Sequence, residues 1–368
     1  MVLTIVADDL TGACDTGTLF AGDAPVPVTV WPAAPPAAAV RVVDTESRVA
    51  TGAVAAARVA SAPALAPAAR YFKKIDSTLR GHVGLEIDAL MRATASGSAL
   101  VCPAFPAQGR VVVERVLLID GTPVAETLLA GDPAFSVAAS SSVVDVLRPH
   151  VNRPLAWIPL DQVRAGVERL AARLGRLSGT VTVADAENDD DLDALVDAAL
   201  ASNPEPLLVG AAGLARALAA RLGLLADKVG LPPGGRWLVV AGSRHPASRA
   251  QVRAARDAGL RVVAAPEEET SDQRGVARGL AAEAHDLLAR EAFDGVAVTG
   301  GETALALCET LGADGIDLLG APQPGLALGH LRGSAHPGLP ILTKAGGFGE
   351  PDLFVSLLTP ALADRRVS

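Results

Sequence analysis

The chain is 368 residues long, half apolar, only 3% aromatic, and carries a net charge of −9. That length suits two domains, and the acidic balance excludes a chain-wide affinity for nucleic acid or anionic membrane while leaving room for a local basic pocket. Cys14, Cys102 and Cys308 are far apart with no CxxC pair, which argues against zinc and a disulfide framework; with no basic stretch before the first apolar run and no apolar run of about 18 residues, a soluble cytoplasmic protein is expected.

Strand-like runs open the chain at 3–7, 26–31, 40–44, 70–75 and 98–102, and continue at 155–158, 180–184, 206–210, 236–241, 261–264, 295–299 and 339–343. Helical stretches fall between many of them, at 84–94, 161–175, 190–201, 213–222, 246–258, 273–291, 302–311 and 351–358. The alternation predicts two α/β domains with mainly parallel sheets. Residues 110–128 break the rhythm: two apolar runs around Asp120-Gly121 predict a hairpin, either an antiparallel flap or an oligomer contact. Pro232-Pro233-Gly234-Gly235, inside 226–236, can continue neither helix nor sheet. The domain boundary is therefore placed near 230, giving domains 1–229 and 230–368. The Pro-rich stretch 31–39 reads as a connection within the first domain, and Asp189-Asp190-Asp191 as a helix start, where negative charge is favoured.

The first chemistry-bearing stretch is ADDLTGACDTG, 7–17, directly after a strand. Ligands of open α/β sheets bind beyond the carboxyl ends of strands. Asp8 and Asp9 fall there. One would take a proton or hydrogen bond from a substrate hydroxyl while the other helps hold Mg²⁺. Capping of the helix near Leu10 would account for only one of them. A phosphatase of the aspartyl-phosphate type would separate its two carboxylates by one residue, and here they are adjacent.

A second cluster, FKKIDSTLRGHVG at 72–84, also follows a strand and suits a small polyanion. Ser77 and Thr78 offer hydroxyls and amides, and Lys74 and Arg80 can neutralise a carboxylate or a transferring phosphoryl group. A capped surface loop with ordinary ion pairs is the bland alternative. In VVDTESR, 42–48, Arg48 can fork onto a carboxylate, or the stretch is a solvated turn. CPAFPAQGR, 102–110, ends another strand and can turn Gln108 and Arg110 toward the same cleft. Beyond the linker come three glycine-rich junctions, AGSRHPAS (241–248), TGGETA (299–304) and KAGGFG (344–349). Glycine lets backbone amides approach phosphates, so together they predict nucleotide or phosphate binding. No GxxxxGK[ST] and no GxGxxG after a strand occurs, which argues against a P-loop enzyme and a standard dinucleotide fold. The histidines show no metal-ligand spacing, and the sequence around Cys14 marks no obvious basic residue that would make it a nucleophile.

These pieces, with Gln251 after AGS, occur in the order found in the four-carbon acid sugar kinase (DUF1537) family, which the sequence resembles over nearly its whole length. The resemblance implies a sugar-acid-binding N-terminal domain, an ATP-binding C-terminal domain, and ATP-dependent phosphorylation of the C4 hydroxyl of threonate, erythronate or a 3-oxo-tetronate. It also implies that Asp9, Arg48 and the segment Lys74, Ile75, Asp76 and Ser77 bind substrate. Ser243, the turn Gly300, Gly301, Glu302 and Thr303, and the loop Gly346-Gly347 would bind ATP·Mg²⁺. Within this reading Asp9, Lys74 and Arg80 are catalytic, Asp8 assists substrate binding, and closure about 226–236 excludes water. The chain departs from the family in placing Arg244-His245 after Ser243 and LLAGDPAF at 128–135, and it is shorter than many members. Rival readings are a phosphohydrolase using Asp8 or Asp9 covalently and a non-catalytic sugar-acid sensor. The partners expected are the sugar acid, ATP and a possible second copy of the chain. The metal ligands, the particular acid and the oligomeric state are not specified.

Overall fold

A computed structural model describes residues 2–127, 140–231, 235–266 and 272–359. The departure at 128–135 and the Pro-Pro-Gly core of the expected linker lie outside the described residues. Two compact units emerge. One comprises the chain up to Phe20 together with Val30–Leu225, and the other comprises Ala21–Thr29 together with the chain from Ala226 onward. The expected boundary near 230 thus shifts to 225/226, and residues 21–29, assigned to the first domain from sequence, belong to the second. Strand Val26–Val30 explains this: it pairs antiparallel with Gly315–Gly320, Val28 opposite Ile316. The Arg332 guanidinium pins it by donating to Val28 O at 3.0 Å and Thr29 Oγ1 at 2.7 Å.

The first unit carries an all-parallel sheet in the order Val40–Asp44, Leu3–Ala7, Arg70–Lys74, Leu207–Gly210, Ala99–Cys102, Val181–Ala184, Leu155–Ile158. Its inner strands read as continuous apolar runs such as LTIVA and are buried on both faces, as parallel strands under helices must be. In the second unit Arg261–Ala264, Trp237–Ala241, Gly295–Thr299 and Pro340–Lys344 run parallel, followed by antiparallel Leu326–Arg332, Gly315–Gly320 and the borrowed Val26–Val30. Trp237, Leu342 and Phe354 lie in its apolar core. The expectation of two α/β domains with mainly parallel sheets therefore holds.

Three local differences have physical causes. Helix Gly52–Leu65 was not expected, because its buried stripe is only Ala55, Val59 and Ala62 and it contains Pro63. The helix expected over 161–175 divides into Leu160–Val163 and Val167–Arg176 at Gly166, whose φ of 100° no helix accommodates. The expected hairpin is a three-strand ribbon, Arg110–Val113, Val116–Ile119 and Thr122–Pro123. Its extra turn at Glu114-Arg115 has positive φ at both residues without glycine, so the usual hairpin signal is missing. The acidic helix start is as read: Asn188 and Asp191 form a reciprocal capping box.

Candidate functional site

In the first unit, Leu3–Ala7 lies between Val40–Asp44 and Arg70–Lys74 in the sheet, so the loops after all three strands share one carboxyl-end crevice. Asp9 caps helix Leu10–Gly17: the Gly12 amide donates to Oδ1 at 3.1 Å, and the Thr11 hydroxyl donates to Oδ2 at 2.6 Å. It is more than a cap, because Arg48 also donates Nη2–H to Asp9 Oδ1 at 2.7 Å. Arg48 spans Asp8 with two bonds, Nε to Oδ2 at 2.8 Å and Nη2 to Oδ1 at 3.0 Å, and its Nη2 lies 3.7 Å from Asp76 Oδ1. Arg80 in turn forks onto Asp76, Nε to Oδ2 at 3.0 Å and Nη2 to Oδ1 at 2.8 Å.

Burial opposes charge on Asp8, but Arg48 and Lys73 more than offset it and hold its pKa below the usual carboxylate range. Burial is likewise overcome at Asp76 by Arg80 and Arg48, which hold it well below that range. Lys74 is 5% exposed, and its ammonium reaches the start of helix Leu10–Gly17 beside Asp9. A Cβ at Gly12 would lie 2.8 Å from Lys74 Nζ and 2.5 Å from Asp9 Oδ1, so glycine is what lets both groups approach this helix start. Underneath, Lys73 and Glu86 form a buried 2.8 Å ion pair, and Ser47 Oγ donates to Glu86 at 2.7 Å, tying the loop after Val40–Asp44 to helix Val83–Ala93.

Of the residues expected from sequence, Asp8, Asp9, Arg48, Asp76 and Arg80 join one lattice of ion pairs with Lys74 beside it. Two expectations need correction. Arg48 does not stand as an open fork for a substrate carboxylate, because it is bonded to Asp8 and Asp9, and freeing it would strip buried Asp8 of its two-bond partner. The Ile75 side chain is 1% exposed and belongs to the core, so only its backbone borders the loop, donating N–H to Gly210 O at 3.0 Å. Ser77 sits half-buried beside Asp76.

Within VVDTESR the sequence reading weighed Arg48 but missed the pairing of Asp44 with Glu46. Each has one buried carboxyl oxygen without a hydrogen-bond partner, and the Glu46 amide donates to Asp44 Oδ1 at 3.0 Å. Burial, and then Glu46, push Asp44 well above the usual range; burial, with the Asp9 charge adding to it, pushes Glu46 up to about 7. Burial and the nearness of the two acids favour retention of a proton on this pair. The signal was two carboxylates at i and i+2 after a strand; the left-handed φ of 45° at Glu46 had no sequence mark. Arg110 feels the charges of Asp76, Asp120 and Arg80, and its buried Nε lacks a hydrogen-bond partner.

The second unit gathers the glycine-rich turns at the carboxyl ends of three adjacent strands, Trp237–Ala241, Gly295–Thr299 and Pro340–Lys344. A Cβ at Gly242 would collide with Thr303 Oγ1, one at Gly346 with Ser243 Oγ, and one at Gly300, φ 101°, would lie 3.2 Å from Ser243 N. Gly347 faces His245, where a Cβ would lie 3.3 Å from Nε2. Helix Gly301–Thr310, with Glu302 in its first turn, and helix Pro246–Asp257 both begin here. Ser243, Gly300–Thr303 and Gly346-Gly347 are thus brought together. A small cavity beside Ser243 is lined by Arg244, Arg249, Arg253 and Arg256. Close backbone approach, two helix N-termini and guanidinium groups make a setting suited to a polyphosphate.

Residues 3–218 match the family described as a sugar-binding N-terminal domain, and residues 261–354 match a nucleotide-binding C-terminal domain. A D-threonate kinase of Bordetella bronchiseptica is 34% identical, covering 98% of each chain, and one of Salmonella typhimurium is 32% identical over 95% of this chain and 96% of its own. The chain belongs to the four-carbon acid sugar kinase family. A D-erythronate kinase of Heliobacterium modesticaldum is 29% identical to this kinase over 95% of it and 94% of the relative. A Salmonella typhimurium structure described as a putative tRNA synthase shares the fold of this kinase at a TM-score of 0.80 and 21% identity, covering 96% and 98% of the two chains. A DUF1537 structure from Bordetella bronchiseptica, described as a domain-swapped dimer with bound citrate, aligns at 33% identity with a TM-score of 0.52 over 96% and 97%.

Among the described residues of this kinase, no three His, Cys, Asp or Glu side chains are placed to hold a metal ion, and Asp8, one of the two carboxylates of which one was expected to help hold Mg²⁺, is bound to Arg48. No helix among the described residues is long and apolar enough to cross a membrane.

Proposed function

We propose that this kinase transfers the γ-phosphoryl group of ATP to the terminal C4 hydroxyl of a four-carbon sugar acid such as threonate, erythronate or 3-oxo-tetronate. The first unit holds the acid, and the second unit, from Ala226 onward with residues 21–29, holds ATP. Phosphoryl transfer depends mostly on positioning and electrostatics, and both sites are built accordingly.

The observation that carries the reading is Asp9. Its carboxylate is aimed by Thr11, Gly12 and Arg48 and sits beside the Lys74 ammonium at a strand-end crevice. Asp9 orients the C4 hydroxyl and accepts its proton as the oxygen–phosphorus bond forms and the bond to ADP breaks. Lys74 offsets the charge developing on the phosphoryl oxygens. Arg80 acts by fixing Asp76, and Arg110, whose guanidinium forms no ion pair with a carboxylate among the described residues, takes the acid's carboxylate in place of Arg48. In the second unit, amides around Gly300 and Gly346 hold the phosphates. ATP supplies the phosphoryl group, and Mg²⁺ accompanying it would neutralise phosphate charge. A cytoplasmic setting and self-association, as in the Bordetella structure, complete the proposal.

A phosphohydrolase acting through Asp8 is disfavoured, since both Asp8 oxygens are bonded to Arg48. The test is a panel of four-carbon sugar acids assayed for ADP release by the full chain. Release with one or more acids is expected. Sugar-acid binding without ADP release from any of them would instead make the protein a sensor.

A further inference from the structure

The loop after strand Pro340–Lys344 is gripped from beneath by three fully buried side chains on two elements. The Lys344 ammonium donates to the carbonyls of Ala345 at 2.9 Å, Gly346 at 3.1 Å and Phe348 at 2.9 Å. Ser248 Oγ, 3.5 Å from that ammonium, donates to Gly346 O at 2.6 Å. The Gln251 amide nitrogen lies 2.8 Å from Phe348 O, 2.8 Å from Gly349 O and 3.0 Å from Glu350 O. Five of the six carbonyls from Ala345 to Glu350 are therefore turned inward.

A trans peptide unit points its C=O and N–H in opposite directions. Inward carbonyls at Ala345 and Gly346 turn the Gly346 and Gly347 amides outward, and the Cα atoms of these two glycines border Ser243 and His245. The arrangement is expensive. Burial pushes the Lys344 pKa down to about 7, and Gln251 Oε1 is buried without a partner. A loop needing only stability would be closed by its own turn bonds, of which Phe348 N–H to Ala345 O at 3.2 Å is one.

We propose that Lys344, Ser248 and Gln251 are positioning residues that preset the Gly346 and Gly347 amides as a cradle for nucleotide phosphate, acting solely through the loop backbone. This rests on the reading of the second unit as the ATP site. It assigns a task to Gln251, which the sequence pattern singled out, and to a lysine that never touches the nucleotide. Preset donors spare the ordering cost on binding, so their loss falls on ATP affinity.

The test compares wild type, Ser248→Ala and Lys344→Met as full-length proteins, with ATP and sugar acid varied in turn and folding checked by circular dichroism. Ser248→Ala removes one neutral hydrogen bond and raises KM for ATP about three- to tenfold. Lys344→Met removes three and raises it by a further order of magnitude, about ten- to a hundredfold in all. KM for the sugar acid stays within about twofold, and kcat at saturating ATP changes little, the split expected when only binding of one substrate is lost. Should Lys344→Met fail to fold, Ser248→Ala decides. Folded variants with unchanged KM for ATP overturn the proposal, as does a parallel loss in both substrates. Calorimetry on wild type separates the two levels: no ATP binding there refutes the ATP reading and the cradle with it, whereas ATP binding with insensitive variants refutes the cradle alone.

Discussion

The two strand-end crevices solve opposite problems. In the first unit the candidate functional groups are side chains: Asp8, Asp9, Arg48, Asp76 and Arg80 interlock through ion pairs of 2.7–3.7 Å. In the second unit they are backbone groups, exposed by Gly242, Gly300 and Gly346 and backed by buried Lys344 and Gln251. A small hydroxy acid offers few atoms and several stereochemical options, so it must be read by directional side chains. A triphosphate is a repetitive anion that a row of amides can hold without reading it. Substitutions should therefore act through chemistry in one unit and through geometry in the other.

The largest effect is expected at Asp9. Asp9→Asn keeps a good helix cap, so stability should change little, but the proton acceptor is gone. Turnover should fall by about 10²–10⁴-fold, with ATP affinity unchanged by calorimetry. Near-normal turnover would reduce Asp9 to its capping role. Arg48→Ala comes next and tests the lattice itself. With 12% side-chain exposure on Arg48 and 3% on Asp8, its loss leaves buried carboxylates uncompensated. Stability should fall by about 3–5 kcal/mol, measured by urea denaturation, and Arg48→Lys should recover only part, because a point charge cannot span both oxygens. An Arg48→Ala protein of wild-type stability that merely binds the acid weakly would restore Arg48 to the role of substrate fork.

Much of this architecture was legible because the physics was local. Continuous apolar runs such as Leu3–Ala7 and Leu207–Gly210 marked strands, and carboxylates or glycines directly after them marked the crevices. What escaped was non-local or conformational. Nothing within residues 21–29 says that the partner strand of Val26–Val30 begins at Gly315, nearly 300 residues later. The positive φ at Glu46 and at Glu114-Arg115 occurs without glycine. Arg48 was recognised as a cation of the site, but its three carboxylate neighbours come from loops 28 to 40 residues away in sequence, so its pairing could not be read along the chain.

The next effect sharpens the contrast between geometry and chemistry. Gly346→Ala would drive a Cβ into Ser243 Oγ, and Gly12→Ala would place one 2.5 Å from Asp9 Oδ1. The same methyl should raise KM for ATP at the first position and KM for the sugar acid at the second, each up to about a hundredfold, as displacements near 1 Å can cost. Steady-state kinetics with each substrate varied decides it; both variants affecting the same substrate would break the division between the units.

The smallest effect concerns pH and lies within the first crevice. Glu46 has a folded pKa of about 7 against 4.5 as a free side chain, raised by burial and by the Asp9 charge. Between these values the folded chain keeps a proton that the unfolded chain has released, so this contribution is fully present below pH 4.5 and is lost as pH rises through 7. Asp8 and Asp76 behave oppositely, their lowered pKa values adding stability that disappears only as pH falls below the ordinary carboxylate range. Comparing Glu46→Gln with wild type by urea denaturation at pH 5 and pH 8 isolates the Glu46 part. The variant should gain on wild type between the two pH values, by on the order of 1–3 kcal/mol, because glutamine has no proton to lose and also relieves Asp44 of its acidic neighbour. A difference that stays constant with pH would mean that Glu46 does not keep its proton on folding.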